Sequence, residues 1–462
     1  MNIEARARRA TAPPRGRVAT HLLRAAAVAI MLAAAAVAWV AWRNVAGEPP
    51  VQPRASGPRP AADAATLARG GYLARAGNCI GCHTARGGAP LAGGRAIATP
   101  FGTVYASNLT PDDDTGLGRW SASEFRRALK HGRSRDGRLL APAFPYTNFT
   151  RLNDDDADAI FAWLMTHRAV RQVNRPHELR FPYRLQAALA VWRALFFRPT
   201  AFAPDASRSA AWNRGSYLVN GAAHCLACHA ARNFLGGAAD NASAGEQVVS
   251  AQRWLAPSLA DAREAAVGDW PLEDVVALLK SGTSPRGTAL GPMAEVVSTS
   301  TQHLGDDDLR AIAEYLRTLQ VAAPSAAGAA SPSASAAASA SAGAAAELTP
   351  AQQRDAEAMA RGERVYEDHC AGCHGRRGEG TPGIAALAGS RAVRLARPLN
   401  VVQVIRQGGF LATTAGNPRP FGMPPFAHLL GDDDIAAVAT YVRGAWGNDA
   451  GAVQPLDMWR AR

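Results

Sequence analysis

Cys79-Ile80-Gly81-Cys82-His83 recurs as Cys225-Leu226-Ala227-Cys228-His229 and as Cys370-Ala371-Gly372-Cys373-His374. These three pentapeptides use all six cysteines of the 462-residue chain. Their first cysteines are 146 and 145 residues apart, so the repeat has the size of a domain. Other features repeat in register. Arg69-Gly70-Gly71-Tyr72, Arg214-Gly215-Ser216-Tyr217 and Arg361-Gly362-Glu363-Arg364 precede the motifs, each within a short helical signal. Aspartate triplets follow at 154–156, 306–308 and 432–434, and seven residues beyond each stands an aromatic: Trp163, Tyr315 and Tyr441.

The triplets read as helix starts, because aspartate satisfies free N–H groups of a first turn and suits the positive end of the helix dipole. Helical period follows in Ile160, Trp163 and Leu164, in Ile312, Tyr315 and Leu316, and in Val438, Tyr441 and Val442. A calcium loop would need alternating oxygen ligands and a closing glutamate, which the triplets lack. Each unit is thus expected to be a helix, the cysteine motif, a long loop-rich middle and a terminal helix.

Two cysteines three apart on one turn can form thioethers to the two vinyl groups of one haem. The histidine after the second then supplies its imidazole to the iron, which makes C-x-x-C-H a c-type haem attachment signal. Zinc needs about four ligands, and each unit offers two Cys and one adjacent His, with His224, His369 and His428 at no common position. A thioredoxin-like dithiol belongs in a βαβ setting, absent here. The reading is three covalent haem c groups held by Cys79, Cys82, Cys225, Cys228, Cys370 and Cys373. His83, His229 and His374 are the iron ligands.

A sixth ligand distinguishes carriers from open sites. Met293, in Leu290-Gly291-Pro292-Met293-Ala294, and Met423, in Phe421-Gly422-Met423-Pro424-Pro425, sit in Gly/Pro loops ahead of the terminal helices and are read as axial ligands. The matching stretch of the first unit, Ala141-Pro142-Ala143-Phe144-Pro145-Tyr146, has no methionine. Met165 is read as a residue inside the terminal helix, and His131 as a comparable candidate in the middle loop. The first haem is otherwise left with an open or weakly held sixth position.

Outside the motifs, 48% hydrophobic and 19% charged residues indicate a chain that buries cores rather than a disordered one. Six cysteines are too few for a disulfide framework. The net charge of +12 is almost all arginine, lysine standing only at Lys130 and Lys280. No basic cluster is interleaved with aromatics, so nucleic acid is not expected as a partner. Arginines crowd the first 24 residues, and the uncharged run Ala25–Trp42 would span about 27 Å as a helix, near the ~30 Å of a bilayer core. An uncleaved anchor at 25–42 is expected, with residues 1–24 cytoplasmic and the rest periplasmic. The alternative is a cleaved signal, for which Val45-Ala46-Gly47 is only a weak site.

The division expected from these signals is a spacer at 43–64, cytochrome units at 65–175, 209–320 and 350–448, and a tail at 449–462. A connecting segment at 176–208 includes Arg184–Phe197, apolar on one face and interrupted by Arg193. Fourteen residues are too few to cross a bilayer, so it is expected to pack between two units rather than lie on a membrane or partner. Residues 321–349 form a linker whose part from 322 to 346 contains only Ala, Ser, Gly and Pro.

The sequence resembles the three-haem cytochrome c subunits of bacterial membrane-bound dehydrogenases for alcohol, gluconate and sorbitol. It is similar also to the cytochrome subunits serving molybdenum hydroxylases that oxidise nicotinate, isoquinoline or aldehydes. The carrying residues are Trp212–Val219, His224–His229, Gly291–Val297 and Met423–Leu430, and the resemblance covers about residues 65–448. It implies an all-α protein of three tandem class I cytochrome c domains behind an N-terminal transmembrane helix. It implies electron transfer from a catalytic subunit of flavin, quinoprotein or molybdopterin type toward ubiquinone or a terminal oxidase, on the periplasmic side of the inner membrane. Phe144 departs from the alcohol dehydrogenase pattern, which has methionine there. The rival readings are an independent periplasmic electron carrier and a peroxidase-like activity at the first haem.

Overall fold

The computed structural model describes residues 15–54, 57, 59, 61–238, 247–249, 253–320, 349–381 and 383–461. The linker expected before the third unit therefore lies outside the described residues at 321–348, as do residues 1–14 of the basic segment. The chain is all-α, with short antiparallel ladders of no more than three strands in its loops.

Helix α1 (Arg15–Val45) extends past both ends of the apolar run. From Ala19 to Val45 it is long and apolar enough to cross a membrane, with no residue of its most apolar stretch buried in the protein. The first unit contains α2 (Ala64–Ala76), α3 (Cys79–His83), α4 (Ala122–His131), the single turn α5 (Tyr146–Phe149) and α6 (Asp154–Leu164). After the connecting helix α7 (Gln186–Phe196), the second unit contains α8 (Ala210–Tyr217), which runs into a π-helical turn at Leu218–Ala222. Then come α9 (Leu226–His229), α10 (Leu272–Ser281), α11 (Pro292–Thr299) and α12 (Asp306–Arg317). The third holds α13 (Pro350–His369), α14 (Ala371–His374), α15 (Arg391–Arg394), α16 (Leu399–Gln407), α17 (Asp432–Gly444) and α18 (Pro455–Arg460).

In each unit the first helix crosses the last, and the repeated Arg-Gly explains how. A Cβ on Gly70 would lie 1.9 Å from the Ala159 carbonyl oxygen, on Gly215 2.0 Å from that of Ala311, and on Gly362 2.1 Å from that of Ala437. Only glycine lets the two backbones approach so closely. The preceding arginine pairs with the last aspartate of the triplet: Arg69 with Asp156, Arg214 with Asp308 at 2.7 Å, Arg361 with Asp434 at 2.7 Å. The last helices begin at the triplets as expected, but the aspartates are not caps. Asn153, Gly305 and Gly431 hold the cap positions without side-chain capping bonds. The triplets occupy the first turn, where the dipole favours them, and the third carboxylate locks the helix crossing.

The middles are less loop-rich than expected. Each carries an amphipathic helix, α4, α10 or α16, ended by a glycine of positive φ: Gly132, Gly282 and Gly408. His131 is thus the last residue of α4 rather than a loop residue, and Met165 lies just past the end of α6. Residues 449–462, read as a tail, include α18, whose Met458 is buried in the third core.

The connecting helix α7 packs as expected on both neighbours. Its Gln186 donates to the Leu139 carbonyl at 3.2 Å, and Trp192 Nε1 to that of Leu235 at 2.9 Å. It also seizes the end of α1. Asn44 donates to the Ala190 carbonyl at 2.9 Å and accepts from the buried Arg193 at 3.0 Å. The 43–64 segment is correspondingly no free spacer.

The first two units interlock across a pseudo-twofold. Tyr72 of the first donates to Asp308 of the second at 2.5 Å, while Tyr217 of the second donates to Asp156 of the first. Each tyrosine completes the other unit's Arg–Asp pair. In the third unit Arg364 stands at that place, and other residues hold it. Arg391 pairs with Asp269 at 2.6 Å, and Asn400 exchanges two hydrogen bonds with the Leu255 backbone.

Candidate haem-attachment sites

The three motifs take one local form. A helical turn brings the two sulfurs to one side with the histidine next in line, and none of the six cysteines is in a disulfide. Burial pushes the thiols of Cys79 and Cys225 up to about 12 and that of Cys370 to about 11. They are neutral thiols among apolar neighbours, not activated thiolates of a redox dithiol.

The histidines carry the clearest signature. His83 Nδ1 lies 2.7 Å from the Ser107 carbonyl, His229 Nδ1 2.7 Å from that of Pro257, and His374 Nδ1 2.9 Å from that of Ala385. A carbonyl can only accept, so each Nδ1 carries a proton, and in the neutral ring Nε2 is then the nitrogen with the free lone pair. Burial also pushes the imidazoles of His83 and His229 below the usual range, against the weaker opposing pull of those carbonyls. Neutral imidazole with an anchored Nδ1–H is the form a metal-ligating histidine takes. The sequence offered no signal for these carbonyls, which follow their histidines by 24, 28 and 11 residues.

The two thiols, the oriented imidazole and an apolar wall fit a covalently bound haem. Among the described residues, no group of three or more His, Cys, Asp and Glu could hold a metal ion. Met293, near the start of α11, packs half-buried against the core shared by the first two units. Met423 packs against the third core, on a ladder that pairs it with Gly409. Exposed Phe410 and Phe421 flank that ladder, an apolar surface suited to a porphyrin face. Met165 packs against the same core as Phe144 and Met293, and Arg59 Nη1 donates to its sulfur at 2.7 Å.

The first two motifs are neighbours. His224 Nε2 meets the Gly77 carbonyl at 3.1 Å, and Thr299 donates to the Asn78 side chain at 2.7 Å. Arg95 donates to the Gly81 carbonyl inside the first motif and forms a two-pronged pair with Glu295, two residues beyond Met293.

Fold and site together define a c-type cytochrome. The family model described as "Cytochrome c" matches residues 67–168 and 213–320, and that described as "Cytochrome C oxidase, cbb3-type, subunit III" matches 357–442. The chain belongs to the cytochrome c subunits of membrane-bound dehydrogenases. It is 36% identical to the cytochrome c subunit of the quinone alcohol dehydrogenase of Gluconobacter oxydans, over 87% of this chain and 83% of that protein. It is 35% identical to the gluconate 2-dehydrogenase cytochrome c subunit of Pantoea cypripedii, over 85% of this chain and 88% of that one. It is also 39% identical to a nicotinate dehydrogenase subunit of Pseudomonas putida, over 85% of this chain. The matched region makes up only 31% of that longer protein.

Proposed function

We propose that this chain carries three haem c groups and serves as the electron-transfer subunit of a periplasmic dehydrogenase tethered to the inner membrane by α1. It would receive electrons from a catalytic subunit of flavin, quinoprotein or molybdopterin type and deliver them to ubiquinone or a terminal oxidase. The observation that carries the reading is the threefold Nδ1–carbonyl hydrogen bond, which leaves one aimed nitrogen beside each cysteine pair. Bound haem supplies reversible one-electron exchange at its iron.

The chain's residues set the conditions for it. Cys79 and Cys82, Cys225 and Cys228, and Cys370 and Cys373 would hold the three groups by thioethers. His83, His229 and His374 would ligate the iron, joined by Met293 and Met423 at the second and third sites. A thioether favours the ferrous state, so those two sites would be the higher in potential. The proposed cytochrome units are 65–175, 209–320 and 350–448. The relatives support the assignment of a catalytic partner, since they are named as parts of alcohol, gluconate and nicotinate dehydrogenases.

The test is purification of the native protein from membranes, with a pyridine haemochrome count and identification of co-eluting chains. Three haems per chain and a large dehydrogenase subunit are expected. Two or fewer haems on fully matured protein would refute the stoichiometry. A chain that elutes alone and accepts electrons from no membrane dehydrogenase would favour an independent carrier.

A further inference from the structure

The first and second units can be aligned by their hydrogen bonds rather than by sequence. In the first, the Leu140 N–H donates to the Gly132 carbonyl at 2.8 Å, and the Phe144 N–H to that of Ala141 at 3.0 Å. In the second, the Ala289 N–H donates to the Gly282 carbonyl at 2.8 Å, and the Met293 N–H to that of Leu290 at 3.2 Å. Gly132 and Gly282 both end the middle helix in the left-handed region. The first loop is one residue longer between the glycine and its bonded N–H, and from Leu140 and Ala289 onward the two run at one offset, so Phe144 falls where Met293 does. Both side chains are half-buried against one core that also touches Cys79 and Cys225. Phe144 packs on Phe149 with ring centres 5.7 Å apart, and Phe149 meets His224 edge-on at 5.2 Å.

Four other side chains in or beside the first unit carry a possible ligand atom: Met165, His167, His177 and His131. The Met165 sulfur accepts from Arg59, which also donates to the carbonyls of Gly118 and Trp120 at 2.5 and 3.0 Å. His167 Nδ1 contacts the Trp163 carbonyl at 3.1 Å, and His177 Nδ1 accepts from the Tyr105 N–H at 3.2 Å. His131 is buried at the end of α4 with its ring Nδ1 unpartnered; Arg193 donates to its backbone carbonyl, and the charges of Lys130, Arg193, Asp154 and Arg133 surround it. This end of α4 meets α7 through Arg193 and α1 through Arg133, which donates to the Asn44 carbonyl at 2.7 Å.

We propose that the first haem has no sixth ligand from the protein, and that Phe144 covers an apolar site there for a small uncharged diatomic ligand such as carbon monoxide or nitric oxide. Phenylalanine has no donor atom, and its ring and that of Phe149 favour an uncharged guest over an anion. This rests on the reading of the chain as a three-haem cytochrome.

The experiment titrates the dithionite-reduced full-length protein with carbon monoxide and reads the Soret difference spectrum beside the pyridine haemochrome count. One carbon monoxide per three haems is expected, with one high-spin ferric haem in three by electron paramagnetic resonance. Phe144→Met should abolish the carbon monoxide signal and add a third sulfur–iron charge-transfer band. Met165→Leu, nearly equal in volume, should change neither readout. Three haems, all low-spin and inert to carbon monoxide, would overturn the proposal and leave the proposed function standing. Fewer than three haems would overturn the function reading first. A new carbon monoxide site appearing only in Met165→Leu or in His131→Gln would identify that residue as the ligand and refute the assignment to Phe144.

Discussion

Replacing Gly215 by alanine tests the close crossing of α8 and α12 directly. The added methyl would meet the Ala311 carbonyl oxygen at 2.0 Å and the Tyr315 Cβ at 2.8 Å. Ordinary contact starts near 3.4 Å, so the helices must part by more than an ångström. The obstacle is backbone, which cannot rotate away as a side chain would. Overpacking of this kind costs about 1–3 kcal/mol, and a backbone clash belongs at the upper end. Alanine recovers about 1 kcal/mol as the better helix former. The net loss is about 2 kcal/mol. For the paired first and second units that corresponds to a melting temperature lower by about 4–8 °C. The assay is thermal unfolding of the purified holoprotein followed by circular dichroism, with Gly416→Ala as control. Gly416 has nothing within 4 Å of an added Cβ and lies outside the left-handed region. A Gly215→Ala protein as stable as wild type, or more so, would show that helix propensity outweighs the crossing and would refute the reasoning.

Further expectations follow from individual residues. Met293→His and Met423→His should each lower one redox wave by tenths of a volt, a fraction of the roughly 0.8 V that axial ligands command; spectroelectrochemistry reads it. Asp308 is pushed up by burial, but hydrogen bonds from Arg214 and Tyr72 outweigh this and hold it below the usual carboxylate range. Its stabilising contribution is therefore complete above the unfolded value of about 3.9 and fades as pH falls through the lower folded value. The stability gap between wild type and Asp308→Asn should shrink from pH 7 to about pH 3, and a constant gap would contradict the ion pairing. Protein exported without residues 1–41 should be soluble and more stable than protein lacking 1–45. The longer cut removes Asn44 from the buried Arg193, a charged hydrogen bond worth about 1.5–3 kcal/mol; paired denaturant melts decide.

The cysteine motifs, the helix starts at the aspartate triplets and the repeat length were legible because covalent chemistry and first-turn electrostatics act within a few residues. The middle helices α4, α10 and α16 escaped the sequence reading, although the Ser121–Glu124 capping box marks one of them. Nine or ten residues among Gly and Pro give too short a periodic signal. The arginine before each glycine was visible as a repeat, but its aspartate partner lies more than 70 residues away, and only the crossing brings them together. The carbonyls that orient the histidines carry no side-chain identity at all, so no residue pattern can announce them. The role of Arg59 on Met165 belongs to the same class, a contact across 106 residues made from what looked like a spacer.

The reciprocal reach of Tyr72 and Tyr217 has a consequence for ancestry and assembly. A contact in which each half offers the same side chain to the same acceptor in the other is the geometry of an isologous homodimer. Here both halves lie on one chain, and the helix α7 has become the strap between them. The join converts a concentration-dependent association into an intramolecular one, so this interface cannot be diluted apart. It also frees the two halves to diverge where a true dimer could not. Phe144 and Met293 occupy equivalent positions in loops that differ by one residue in length. A symmetric dimer would have to give both the same residue, whereas the fused pair sets phenylalanine at one and methionine at the other.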